Sequence, residues 1–159
     1  MLEISFAPDV DSDIPEAAKD AWRAGRIDLA TQSATNLRYG YFEYPINFIV
    51  GGHVLLSATR TPLIDIMFSL AYSVQELNSV GFSEIDFTEN THVIRIGLDE
   101  GRVAFTSSRS PAVTSDCPFE EFVSTVRKFV ANGIKWLTGQ YPQIVKNPAL
   151  RELHKLTHI

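Results

Sequence analysis

The chain has 159 residues, 45% of them apolar and ten of them Phe, which is material for a core and not the composition of a disordered segment. Nineteen Asp and Glu against fourteen Lys and Arg give a net charge of −5, which argues against nucleic acid as a partner and leaves room for a basic protein. With Cys117 alone no disulfide forms within these residues, and no stretch nears the ~20 apolar residues of a membrane span, so no membrane partner and a reducing, cytoplasmic (cytosolic) setting are expected.

In chain order, a short strand is expected over 3–7. "DIPEAAKDAW" then reads as a helix capped by Asp13, with Glu16 completing a capping box, Pro15 tolerated in the first turn and Gly25 as the stop. Residues 27–33 read as a second extended stretch. "YGYFEYPINFIVGGHVLLSA" reads as a hairpin turning at Gly51-Gly52, which sets Val50 against His53, Ile49 against Val54 and Phe48 against Leu55. Phe42, Tyr44, Ile46, Phe48 and Val50 then share the core face. Tyr39, Tyr41, Glu43, Asn47 and Ile49 share the other, and Pro45 marks an edge or a bulge.

Thr61-Pro62 opens a long helix with Thr61 as cap. Its stripe runs through Leu63, Met67, Leu70, Val74 and Leu77, and Gly81 ends it. In "SEIDFTENTHVIRIGLDEGRVAF", turns at Glu89-Asn90 and Glu100-Gly101 pair Ile85 with Ile94, Phe87 with His92, Leu98 with Val103 and Ile96 with Phe105. Glu84 falls beside Arg95, and Asp86 beside Val93, on the wet face of this three-strand meander. Residues 107–118 read as a loop, and a second long helix starts at Ser115 or Asp116. Its core face holds Phe119, Phe122, Val126, Phe129 and Leu137, and Gly133 offers a close approach to a neighbour. Asn147-Pro148 starts a short final helix carrying Leu150 and Leu153. The sum is one α+β domain over 1–159: an antiparallel sheet of hairpin plus three-strand meander, packed against two long helices, with a short terminal helix.

Several residue sets invite a chemical reading. Asp9, Asp11 and Asp13 have the spacing that opens a calcium loop, but Ile14 stands where the sharp turn needs Gly, so a solvated loop is expected. His154 and His158 share a helix face, two ligands short of an ordinary zinc site. Cys117 with His53 or His92 would be a nucleophile–base pair only if the thiol lay at a helix N-terminus. Glu84 and Asp86 would be a paired-carboxylate hydrolase site only if Arg95 did not hold Glu84 ionised. "EGRVAF" has a single aromatic for base stacking. None of these sets is a catalytic, cofactor or metal signature, so none is expected to bind a metal or cofactor, and an enzyme is the less favoured class. The strongest binding feature is "YGYFEY", because tyrosine offers contact area with little rotamer entropy to lose.

The segments "NFIVGGHVLL", "TPLIDIMFSLAYSVQEL", "SEIDFTENTHVIRIGLDEGRVAF" and "FEEFVSTVRKFVANGIKWLTGQYPQIVKNPAL", spread over 37–153, resemble small actinobacterial domains of uncharacterised function. They are similar in style to immunity proteins encoded beside polymorphic toxins. That resemblance implies a cytosolic protein, free of cofactors, that neutralises a toxin by binding it. The tyrosines and acids of the chain's own sequence suit such a contact, which would use some of Tyr39, Tyr41, Glu43, Glu84 and Asp86 against a basic toxin encoded nearby. A small hydrolase-like enzyme with a pocket between sheet and helices, and a self-associating scaffold that forms a homodimer through the second face of 41–50, are the alternatives.

Overall fold

The computed structural model describes residues 1–87 and 92–157, with the backbone alone over 110–113. It is an α+β fold with two antiparallel sheets. The first has the order β1-β2-β3, with β1 at Leu2–Phe6, β2 at Glu43–Val50 and β3 at His53–Pro62. The second runs in chain order, with β4 at Phe82–Asp86, β5 at Val93–Asp99, β6 at Arg102–Ser107 and β7 at Ser110–Pro118. Two long helices, α3 (Leu63–Val80) and α4 (Phe119–Gln140), pack on each other and on the sheets. Three shorter ones, α1 (Lys19–Arg23), α2 (Ala34–Gly40) and α5 (Pro148–Leu156), lie around them.

Alternation sets the core. Tyr44, Ile46, Phe48 and Val50 are buried on β2, as are Ile85, Ile94, Ile96, Val103 and Phe105 on the second sheet. Phe48 meets Phe105 at 5.7 Å, and Phe105 meets Phe122 of α4 at the same distance, so one continuous core joins both sheets to that helix. The register expected for the second sheet is observed: Ile85 faces Ile94, Glu84 faces Arg95, Leu98 faces Val103 and Ile96 faces Phe105. Glu100 and Gly101 turn the chain with positive φ. The expected Glu89-Asn90 turn lies outside the described residues, and Phe87 N donates to His92 O just inside it.

The first hairpin keeps the expected pairs Val50–His53 and Ile49–Val54, but Phe48 faces Leu56 instead of Leu55. The register slips by one residue at Leu55, between the Ile49–Val54 and Phe48–Leu56 pairs, and again between Phe48–Leu56 and Ile46–Thr59. At the second slip Ala58, at φ 45°, turns its N–H to the Asn47 Oδ1, 2.7 Å away. Pro45 precedes that slip, yet β2 is the central strand of its sheet and not an edge. The proline is tolerated because β1 stops pairing at Ile46, and only Ala7 N reaches the Pro45 carbonyl, at 3.0 Å.

Four further expectations are corrected. Residues 107–118 are not a loop: β7 pairs along β6 from Ser107–Ser110 to Arg102–Pro118. Otherwise β6 would show a row of unpaired backbone groups. The second long helix therefore starts at Phe119, and Cys117 lies in a strand. Residues 27–33 are turns, and the Ser33 Oγ caps α2 by accepting from Asn36 N at 3.1 Å. Thr61 lies within β3, whose last residue is Pro62, and makes no cap. Finally, "DIPEAAKDAW" breaks into a 3₁₀ turn and α1, with Glu16 paired to Lys19 at 2.9 Å instead of closing a capping box. Three other expected features are present. Gly81 ends α3 at φ 77°, the Asn147 side chain caps α5, and a Cβ at Gly133 would stand 2.4 Å from Met67 Sδ.

Candidate functional site

The five residues expected to form a contact surface separate into three places. Tyr39 and Tyr41 do not lie on β2. Once Ser33 has capped α2, the helix carries Tyr39 on its exposed side, 42% accessible. Tyr41 follows the helix and is buried. Its ring meets Phe42 edge-on at 6.0 Å and its hydroxyl accepts from Gln32 Nε2 at 2.7 Å, so it offers no surface to a partner. Phe42 then takes φ 55° to swing the chain into β2, held by Phe42 N to Asp13 O at 3.0 Å and Leu63 N to Phe42 O at 2.9 Å. Glu43 opens β2 and faces Arg60, which also approaches Asp9 at 3.6 Å. It belongs to a separate charged cluster, with Arg60 of β3 and Asp9, at one end of the first sheet. Glu84 and Asp86 lie on the open face of β4, with Glu84 held 3.2 Å from Arg95 Nε.

Beside Tyr39 the structure assembles a group that periodicity did not single out. Arg38 Nε donates to Asp65 Oδ1 at 2.6 Å, and its guanidinium lies 5.0 Å from the centre of the Phe68 ring and 5.5 Å from that of Tyr39. Burial pushes the Asp65 carboxyl above the usual range. Arg38 opposes that shift, and Asp86 adds to it by repulsion. Asp86 is thus near enough for its charge to be felt at Asp65, and Glu84 stands two residues before it on the same exposed side of β4. Asp86 has no ion pair among the described residues. One signal was present in the sequence: Asp65 stands inside the apolar run "PLIDIMFSL", where a carboxylate needs a partner.

The other candidate residues are structural. Asp13 is neither a calcium ligand nor a helix cap: its buried carboxylate accepts from Tyr44 and from Tyr141 Oη, the latter at 2.7 Å. Asp9 caps a 3₁₀ turn at Val10–Ser12. Cys117 is fully buried, and burial pushes its thiol up to about 11, the reverse of an activated nucleophile. His92 stacks on Phe87 at 5.4 Å with Nε2 2.6 Å from Ser107 Oγ, both side chains being buried, and burial lowers its basicity. His53 is exposed on β3, and His158 lies outside the described residues. Among the described residues no His, Cys, Asp and Glu group has the arrangement of a metal site, and no helix is long and apolar enough to cross a membrane.

No family model, no curated protein and no solved structure matches the chain.

Proposed function

We propose that this chain is a protein-binding inhibitor of the immunity type, which captures a basic toxin on the surface formed by Tyr39, Arg38, Asp65, Asp86 and Glu84. The observation that carries the reading is the immobilised Arg38–Tyr39 pair. An arginine fixed by a carboxylate and two rings, with an exposed tyrosine over it, has already lost the rotamer freedom that binding would otherwise cost. Asp86 and Glu84 supply the negative rim that speeds encounter with a basic surface. Tyr41 and Glu43 drop out of the contact, the first because it is buried and the second because it stands in the Arg60 and Asp9 cluster of the first sheet. The class of partner comes from the resemblance over 37–153, and a cytosolic inhibitor with one buried thiol accords with it.

Calorimetry against the product of the adjacent gene tests this. Tyr39→Ala is expected to weaken binding by at least about tenfold, a hot-spot loss. Glu84→Lys with Asp86→Lys is expected to slow association and flatten its salt dependence. No heat of binding, or binding untouched by Tyr39→Ala in a normally folded variant, overturns the reading.

A further inference from the structure

A second surface, sharing no residue with the first, runs along α4. A groove of about 570 Å³ lies between α4 and the end of α5, lined by Arg127, Lys128, Ala131, Ile134, Lys135 and Thr138 of α4. His154 and Thr157 of α5 form its other wall. The α4 positions recur three, four and seven apart, which places them on one side of the helix. The floor is Ala131 and the half-buried Ile134, and the rim is cationic. Lys128 and Lys135 carry no ion pair among the described residues, although the chain as a whole has five more acids than bases. The acids of α4, Glu120 and Glu121, both stand in its first turn, and Glu120 lines the adjoining hollow with Phe119 and Val123.

We infer that this groove docks an acidic amphipathic helix of a partner protein. Charge complementarity selects the sign of the occupant, and the groove selects its shape. From Arg127 to Thr138 the floor extends about 16 Å, three turns of helix, at 1.5 Å per residue. A helix laid along it sets apolar side chains on Ala131 and Ile134. Lys128 and Lys135 are seven residues apart, about 10 Å along the axis, and a ligand helix repeats a flanking acid at that same interval. The pattern is the helix-in-groove mode, with i, i+3, i+4 and i+7 anchors between acidic flanks.

The probe is a synthetic helical peptide of about 15 residues, long enough to hold a helix once capped, with Leu on one stripe and Glu at heptad intervals beside it. Three controls accompany it: the same peptide with Lys for Glu, poly-glutamate of equal length, and vesicles containing phosphatidylserine. Binding to the intact chain is read by fluorescence anisotropy, and the site by amide chemical-shift changes. The Leu/Glu peptide is expected to bind in the micromolar range, to shift amides along 127–138 and 154–157, and to weaken as salt is raised. Lys128→Glu with Lys135→Glu, both on exposed positions, is expected to lower affinity at least about tenfold. The inference is overturned if the Leu/Glu peptide does not bind, if the Lys128 and Lys135 variant binds it as well, if poly-glutamate binds equally, or if only the vesicles bind. None of these results depends on whether the Tyr39 surface takes a toxin.

Discussion

Removing one oxygen from Tyr141 tests how the N-terminal segment is held. The Asp13 carboxylate is fully buried, and the side-chain donors that satisfy it are the phenols of Tyr44 and Tyr141, with Trp136 Nε1 donating to the Tyr44 oxygen at 3.2 Å. Tyr141→Phe keeps the ring, and with it the contacts to Trp22 at 5.5 Å and Phe42 at 5.6 Å, so no cavity opens. What is lost is one hydrogen bond to a charged group, worth about 2 kcal/mol. For a chain of this size that lowers Tm by about 4–8 °C. Tyr44→Phe costs more, because Trp136 also loses its acceptor. The double variant leaves the carboxylate buried without a side-chain donor and costs more than the two single losses together.

Urea denaturation at pH 7 measures these losses, and the same assay at high pH measures the phenols directly. Burial raises the ionisation of Tyr44 and Tyr141, and that of Cys117, above their ordinary values of 10.0 and 9.0. The unfolded chain therefore releases these protons first. Stability is full below pH 9 and falls as pH rises, by about 1.4 kcal/mol per pH unit for each proton. In Tyr141→Phe the fall above pH 10 is shallower by one proton. A Tyr141→Phe protein within about 0.5 kcal/mol of the parent, with an unchanged alkaline slope, would refute the claim that this triad secures the segment.

Two other outcomes follow from the packing. Gly133→Ala gains about 1 kcal/mol of helix propensity but drives a methyl into Met67, an overpacking cost of about 1–3 kcal/mol, so a net loss is expected. In a Met67→Ala background the same substitution becomes stabilising, and a double-mutant cycle by denaturation measures the reversal. His92, its basicity lowered by burial with Arg109 adding to the effect, contributes stability that is present above about pH 6.5. That contribution is lost as pH falls through its lowered folded-state value. His92→Asn should remove that acid slope whatever it does to stability at neutral pH, and pH-dependent melting between 7 and 5 reads it.

The meander was legible because each of its strands alternates cleanly and its Glu100-Gly101 turn admits one register. The ends of α3 and α5 were legible because Gly81 and Asn147 have few other uses where they stand. β7 was hidden by composition: "SPAVTSDCP" has a proline near each end and small inward residues in Ser115 and Cys117, so its alternation carries little hydrophobic contrast. Tyr39 and Tyr41 were misplaced because "YGYFEY" alternates like a strand across a point where the chain leaves a helix. The cap at Ser33 and the left-handed Phe42, which decide that, have no periodic signature. Arg38–Asp65 and Asp13–Tyr141 were invisible for a simpler reason. They join residues 27 and 128 positions apart, and no local pattern encodes such a pairing.

The Asp13–Tyr141 tie has companions in Leu2 N to Glu121 Oε1 and Asn147 Nδ2 to the Leu29 carbonyl, each spanning more than a hundred residues. During translation, at about 5–20 residues per second, roughly 6–25 s therefore separate the emergence of Asp13 from that of Tyr141. Until Tyr141 has been made, the buried Asp13 carboxylate lacks one of its two phenol donors, so this corner of the fold closes late in synthesis.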